Sequence, residues 1–315
     1  MTTTKRCLYC NKPIEEGYWH EECIRSFFGV NRLPEISLDK SNLEKHAIEQ
    51  IEQRKAVAGV QEKLSLHLDL TQKKRPRLTI MDYPSGYILK PQSSRFKQLP
   101  EFEHTAMLLA DLCLFKTVPH ALIPINGGEE LAFITKRIDR EGEKKIHMED
   151  FCQASGSLTE NKYRASYEEC MGLIQSFSAN PEFDRVVLFS YLYFSFIIGN
   201  SDLHLKNFSF IMDEEGKLRL SPFYDVLPTK VILPSDHDDL GMVFNGRKSN
   251  LHGHDFSAFA AKVGISEASK QKMMKAIEKK AKEMKQIIAD SLLNQNAKSV
   301  WMRMIDSNIN RANKP

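Results

Sequence analysis

The stretch from Val186 to Ile198 carries no charged residue, and the chain turns polar directly after it, at Gly199-Asn200-Ser201-Asp202-Leu203-His204-Leu205-Lys206-Asn207. An uncharged apolar run has to be buried, so the polar segment behind it must emerge where that burial ends. The run is too short to cross a bilayer, which takes ~20 residues. It is expected as a buried helix with the polar loop at its C-terminal end. A hairpin follows: Phe208, Phe210 and Met212 fall at period two, Asp213-Glu214-Glu215-Gly216 supplies a turn, and Leu218 and Leu220 resume the alternation. The second arm runs into Tyr224-Asp225-Val226.

Asp202 and Asn207 stand five residues apart. Kinase catalytic loops use this spacing for transfer of a phosphoryl group to a hydroxyl. There the Asp takes the hydroxyl proton, the Asn holds a magnesium ion, and a second metal-binding Asp is needed. Asp225 returns one hairpin later, where that second acid belongs. A lone D-x-x-x-x-N is usually a solvated loop. The apolar helix before it and the returning acid after it favour phosphoryl transfer. His204 and Lys206 lie in the same loop, where a cation can neutralise charge on the moving group. His204 can equally stack or hydrogen-bond within the loop.

Such chemistry also needs a lysine on a strand to contact the α/β-phosphates and a helix glutamate to hold it. Lys90 ends the apolar strand Tyr87-Ile88-Leu89-Lys90, and Glu101 and Glu103 open the next helix, so both compete for the partner role. By spacing alone Lys90 could also be a surface residue. Ala56-Val57-Ala58-Gly59-Val60-Gln61-Glu62-Lys63 holds one glycine and is not a glycine-rich loop. Its backbone N–H groups could approach a phosphate, although a plain turn is the simpler reading.

The first 30 residues carry Cys7-x-x-Cys10 and His20-x-x-Cys23, with Pro13 and Gly17 between the pairs. Three thiols and an imidazole suit a closed, structural zinc site; the alternative is buried cysteines beside a helix-capping histidine. Cys113, Cys152 and Cys170 sit in apolar or helical contexts and read as packed thiols. No secretory signal is visible, which argues for reduced cysteines and a cytoplasmic protein. The net charge of +3 is too small to argue for nucleic acid. Lysines cluster between Lys270 and Lys285, but Met273, Ile277, Ala281, Met284 and Ile288 run beneath them at helical spacing, which predicts one amphipathic helix.

Along the chain, Leu43–Arg54 reads as a helix, 64–68 and 78–80 as strands, Phe102–Phe115 as a helix, and Pro119–Ile138 as a hairpin about Gly127-Gly128. From Phe151 the pattern is mainly helical. The expected fold class is α+β with two lobes, a β-containing one and then a helical one. The expected divisions are 1–30, 31–150 and 151–315.

Taken together, VAGVQEK (57–63), YILKP (87–91), LPEFEHTAMLLA (99–110), KRIDR (136–140), HMEDFCQ (147–153), GNSDLHLKNFS (199–209) and SPFYDVLPT (221–229) resemble the HipA family of serine/threonine kinases, collinearly over roughly 55–260. FNGRK (244–248) and Asp255-Phe256 extend the match more loosely. With only about 55 residues ahead of the loop, the chain is most similar to the short HipT branch, whose missing subdomain is a separate HipS protein. The resemblance implies ATP and Mg²⁺ as cofactors, Asp202 as base, Asn207 and Asp225 as Mg²⁺ ligands, Lys90 as the phosphate lysine and Glu103 as its partner. It implies that Ala58, Gly59, Val60, Gln61, Glu62 and Lys63 cover the phosphates, that Lys136, Arg137 and Ile138 form the adenine hinge, and that His204 and Tyr224 line the pocket, beside Lys206. It further implies a toxin acting on an aminoacyl-tRNA synthetase, tryptophanyl for this branch, with HipS-like and HipB-like antitoxin partners, DNA reached only through the latter, and no membrane. The family often carries autophosphorylated serines where Ala56 and Ala58 stand; alanine offers no hydroxyl for that switch. Two rival classes remain at this stage: a small-molecule phosphotransferase of the aminoglycoside-kinase type, and a pseudokinase binding module.

Overall fold

A computed structural model describes residues 5–36, 63–71, 75–80, 85–142 and 144–314. The loop 56–62 and the expected helix 43–54 lie outside them. The chain divides into two compact units, one of residues 1–104 and 118–143, the other of residues 105–117 and 144–315.

The first unit holds a six-stranded sheet. Its strands are β1 (Glu35–Ile36), β2 (Leu64–Asp69), β3 (Arg77–Ile80), β4 (Tyr87–Lys90), β5 (His120–Ile125) and β6 (Glu130–Lys136), in spatial order β1-β3-β2-β4-β6-β5. All neighbours are antiparallel except β1 and β3. Leu64, Leu66 and Leu89 are buried, so the period-two alternation read from the sequence is the core face of this sheet. The β5–β6 turn is built at Asn126-Gly127-Gly128, with φ of 52°, 71° and 95°. Three successive left-handed residues are why Asn-Gly-Gly stands there. Ahead of the sheet, α1 (Glu21–Phe28) ends at Gly29 in the left-handed conformation.

Helix α2 (Leu99–Leu112) is one turn earlier at both ends than the expected Phe102–Phe115. Leu114, exposed and at φ 64°, stops it; apolarity had suggested that the helix ran on.

In the second unit a three-stranded antiparallel sheet pairs β7 (Met148–Asp150) with β8 (Ser209–Met212), and β8 with β9 (Leu218–Leu220). The helices are α3 (Phe151–Ala154), α4 (Tyr167–Phe177), α5 (Pro181–Ile198), α6 (Thr229–Ile232), α7 (Gly253–Lys262), α8 (Glu267–Glu278), α9 (Ala281–Asp290) and α10 (Gln295–Ala312). The single lysine-rich helix expected over 270–285 is two helices. The chain breaks at Lys279-Lys280, and Met274, Ile277, Met284 and Ile288 are buried on both sides of the break. Among the described residues no helix is long and apolar enough to cross a membrane.

The uncharged run is the body of α5. Pro181 opens it and Gly199, at φ 80°, closes it. The last carbonyls of a helix have no partner within it. Here buried side chains of α10 supply them: Trp301 Nε1 donates to the Ile198 carbonyl at 2.9 Å, and Asn308 Nδ2 to the Phe196 carbonyl at 2.8 Å. At its other end, Asp184 is buried and accepts from Ser178, Arg219 and the Leu220 amide. Helix α5 is thereby tied to β9, and the loop after it starts from a fixed point.

Candidate active site

Residues 199–207 leave α5 through Gly199 and are held from four sides. The Ser201 amide donates to Thr229 Oγ1 at 2.7 Å, and Ser201 Oγ donates to Asp236 at 2.6 Å. The Tyr167 hydroxyl donates to the Leu203 carbonyl at 2.7 Å, and the Leu205 amide to the Lys162 carbonyl at 3.2 Å. Asn207 is buried, and its Oδ1 accepts from the His204 amide at 2.9 Å. An amide oxygen has two lone pairs, so this bond leaves one for a cation.

Asp202 projects from this clamped loop with an exposed side, and the Tyr163 hydroxyl donates to its Oδ1. Crowding by the protein raises the Asp202 carboxyl above the ordinary carboxylate range. The Tyr163 hydrogen bond and Lys162 work against that rise, and the negative charges of Asp225 and Asp236 add to it. A carboxylate made more basic in this way suits proton acceptance. Asp225 follows β9 and holds φ at 59°, a left-handed conformation uncommon outside glycine but visited by Asp and Asn. Backbone held there is a recurrent mark of ligand sites.

Tyr224 stands just before Asp225. Its hydroxyl pairs with Ser209 Oγ at 2.6 Å and donates to the Lys206 carbonyl at 3.1 Å, so it fastens the hairpin's exit to the loop. Lys206 Nζ lies 2.9 Å from Asp150 on β7, so its charge is committed to that acid. His204 is buried with the Tyr163 ring packed edge-on against it, centroids 4.8 Å apart.

In the first unit, Lys90 Nζ lies 2.5 Å from Glu103 Oε1, with Lys90 4% and Glu103 0% exposed. The choice left open by spacing is made here, in the sense the resemblance implied: Glu103 takes the lysine, while Glu101 accepts from Gln92 Nε2 at 3.0 Å. Burial raises the Glu101 carboxyl pKa, with the Gln92 bond opposing. Lys136 ends β6 exposed, and the Arg137 amide donates to the Gly86 carbonyl at 2.9 Å. Arg137 grips Asp139 through two nitrogens at 2.8 and 2.7 Å, and Arg140 adds a third contact at 2.7 Å. Burial alone would raise Asp139, but the two guanidiniums overcome it and hold the carboxyl below its usual value. Ile138 is half-buried, and Lys63 is exposed at the start of β2. Ala56, Ala58, Gly59, Val60, Gln61 and Glu62 fall outside the described residues.

Cys7, Cys10, His20 and Cys23 come together, with one ligand atom from each within 4.8 Å of the others. Cys152 and Cys170 are buried thiols as expected, and burial pushes the Cys113 thiol up to about 12, which suits packing rather than nucleophilic attack. Sequence reasoning missed Tyr163, Tyr167 and Gly241. None carries a spacing signal relative to Asp202, because each reaches the loop through packing.

Comparison with known proteins bears on this arrangement. Residues 55–288 match the HipA-like C-terminal domain family. Among curated relatives, Y4mE of Sinorhizobium fredii, whose name suggests a kinase, is 30% identical over 67% of this chain and 51% of its own length. The serine/threonine-protein kinase toxin HipA of Shewanella oneidensis is 25% identical over 76% of this chain and 58% of its own length. The chain thus spans only about half the length of these two relatives. Of solved structures, HipA of the Shewanella oneidensis MR-1 toxin–antitoxin system, determined with HipB and operator DNA, superposes with a TM-score of 0.67 at 20% identity, over 85% of this chain and 70% of that one. The Helicobacter pylori proinflammatory kinase CtkA gives 0.55 at 13% identity, over 75% and 89%. At these identities the superpositions establish the fold, an α+β kinase-like architecture. Lys90, Glu103, Asp202, Asn207 and Asp225 all fall inside the span matched by sequence, and the chain belongs to the HipA-like C-terminal domain family.

Proposed function

We propose that this chain is an ATP- and Mg²⁺-dependent protein serine/threonine kinase. The observation that carries the reading is that Asp202 and Asn207 share one clamped loop, that Tyr224, next to Asp225, is fastened to the Lys206 carbonyl of that loop, and that the Asp225 charge bears on Asp202. Asp202 accepts the proton of the acceptor hydroxyl. Lys90, oriented by Glu103, holds phosphate oxygens of ATP. Asn207 and Asp225 present hard oxygen donors, the ligand type that Mg²⁺ prefers; bound there, the ion would neutralise phosphate charge. Membership of the HipA-like family and the likeness to a HipA solved with HipB and DNA support a growth-inhibiting toxin with a HipB-like partner; a HipS-like partner rests on the resemblance to the short branch alone. The proposed substrate is an aminoacyl-tRNA synthetase, tryptophanyl by resemblance to the short branch. Incubating the chain with labelled ATP, Mg²⁺ and bacterial lysate tests this reading. One labelled protein band is expected; label appearing only in small molecules would return the assignment to the aminoglycoside-kinase type.

Replacing Asp225 by alanine is expected to weaken Mg·ATP binding itself, because a direct metal ligand is lost. Titration of nucleotide with and without Mg²⁺ reads this; an unchanged magnesium dependence would point to a different ligand.

Tyr163→Phe tests the hydroxyl that covers the base. Its hydrogen bond lowers the Asp202 pKa, so removing it lets that pKa rise. The base works deprotonated, and activity falls as pH drops through its pKa. The acid limb of the pH–rate profile should therefore move to higher pH in the variant. A limb that stays in place, or moves down, would remove Tyr163 from the control of Asp202.

A further inference from the structure

The Cys/His cluster of the first unit takes no part in the chemistry above, and its four ligand atoms lie within 4.8 Å of one another. The turn Cys7-Leu8-Tyr9-Cys10-Asn11 is closed by the Asn11 amide donating to the Cys7 carbonyl at 2.9 Å, with Asn11 at φ 56°. This brings two sulfurs to one side. His20 occupies the N-cap position of α1 but makes no side-chain cap, so the reading of this residue as a helix-capping histidine fails. Its ring is turned toward the sulfurs instead: Nδ1 lies 3.4 Å from Cys10 Sγ and 3.7 Å from Cys23 Sγ.

The other ring nitrogen, Nε2, is 3.0 Å from the Pro13 carbonyl. A carbonyl can only accept, so the proton sits on Nε2 and the Nδ1 lone pair faces the thiols. Metal-bound histidines are oriented in this way. The His20 amide also donates to Cys7 Sγ at 3.4 Å, a bond that stabilises a thiolate. With zinc ~2.3 Å from sulfur and ~2.0 Å from nitrogen, the sulfur and nitrogen corners of a tetrahedron are ~3.5 Å apart. The distances from His20 Nδ1 to Cys10 Sγ and Cys23 Sγ bracket that value.

We propose that Cys7, Cys10, His20 Nδ1 and Cys23 bind one zinc ion, and that this ion fastens residues 7–28 to the sheet that carries Lys90. Four protein ligands leave no open position, so the ion is structural. The segment's own aromatic cluster is small, with Trp19 packed on Tyr9, Phe27 and Phe28 at centroid distances of 5.4 Å, and it is continuous with the sheet, so an ion that holds the segment also holds that contact. The Leu122 amide on β5 donates to the Leu8 carbonyl at 2.9 Å, and Trp19 Nε1 donates to the Leu122 carbonyl at 3.0 Å. Phe27 and Phe28 pack on Tyr87 of β4, with ring centroids 5.9 and 5.4 Å away. Metal affinity in such a module is folding free energy.

The test uses the full chain, purified without chelator or metal-affinity resin. Elemental analysis should find about one zinc per chain. Cys10→Ser and Cys23→Ser should each retain less than about a tenth of that, while Cys113→Ser, a thiol outside the cluster, retains all of it. Because the ligand variants can lose metal by misfolding, the parent chain is also stripped and titrated with Co²⁺. Thiolate-to-cobalt charge transfer with tetrahedral d–d bands, saturating at about one equivalent, is the expected result. Hydrogen exchange should then show stripping to raise exchange within 7–28 and 120–125, with 181–198 unchanged. Less than about a tenth of an equivalent of zinc, both as purified and after reconstitution, or only the weak absorption of octahedral cobalt, overturns the site. Tight metal binding with no change in exchange at 120–125 overturns the fastening. Neither outcome touches the kinase reading, which is tested with labelled ATP.

Discussion

Asp202→Asn is expected to cut phosphoryl transfer by about 10²–10⁴-fold, the usual contribution of a positioned general base, while nucleotide affinity in the presence of Mg²⁺ stays within a few-fold of the parent. The asymmetry follows from where Asp202 acts. In the proposed reaction it takes a proton only as the acceptor hydroxyl attacks, so its loss would be felt in the transition state, whereas ground-state contacts with ATP would come from other residues. The amide keeps the shape of the carboxylate and can still pair with the Tyr163 hydroxyl, so the loop should hold its position and the melting temperature should barely change. Single-turnover rates and equilibrium nucleotide titration on the same preparation separate the two effects. A turnover near that of the parent chain would end the assignment of Asp202 as base.

The second large effect is expected at a residue with no reactive group. A methyl group added at Gly241 would lie 2.6 Å from the Leu203 carbonyl oxygen, 2.8 Å from the Leu203 nitrogen and 2.9 Å from the Ser201 carbonyl oxygen. All three are backbone atoms, and they flank Asp202 on both sides. No side chain can rotate away to make room, so in Gly241→Ala the loop itself must shift. Overpacking of this kind costs ~1–3 kcal/mol of stability. Misplacing a catalytic group by ~1 Å costs up to ~10²-fold in rate. The variant should fold with a lowered melting temperature and lose at least about tenfold in kcat, with a smaller change in KM for ATP. Gly172→Ala is the matched control: it sits within α4 and its added methyl would meet nothing within 4 Å. A helix-interior Gly→Ala change should be neutral or stabilising by up to ~1 kcal/mol. If both variants behaved like the parent, the close packing of residue 241 on the loop would have no mechanical consequence.

Much of the site was legible because its signals are local. The charge-free run before Gly199, the period-two arms of the hairpin at Phe208–Leu220 and the spacing of Asp202 to Asn207 are properties of consecutive residues, and burial and hydrogen bonding act on them segment by segment. The β5–β6 hairpin was legible for the same reason, since Asn-Gly-Gly supplies the left-handed turn that it needs. Where local pattern misled, the cause was also specific. Apolar spacing continues across Lys279-Lys280, so two helices packing on one core looked like one. The strand Met148–Asp150 is short and exists because β8 offers it an edge.

What the amino-acid sequence determined by itself is the set of chemical groups and their order: the Asp202 carboxyl, the side-chain oxygens of Asn207 and Asp225, a strand lysine, and three cysteines and a histidine near the start. Tertiary structure decided which of these groups meet. Glu101 and Glu103 are indistinguishable by spacing, but residues two apart on a helix face different ways, and only Glu103 points at Lys90. The His20 ring could cap α1 or turn to the thiols, and the Pro13 carbonyl decides for the thiols. Tyr163 and Gly241 reach the loop only through the packing of distant segments. Contacts of that kind depend on which surfaces fit together after burial, and no periodicity or spacing along one chain records them.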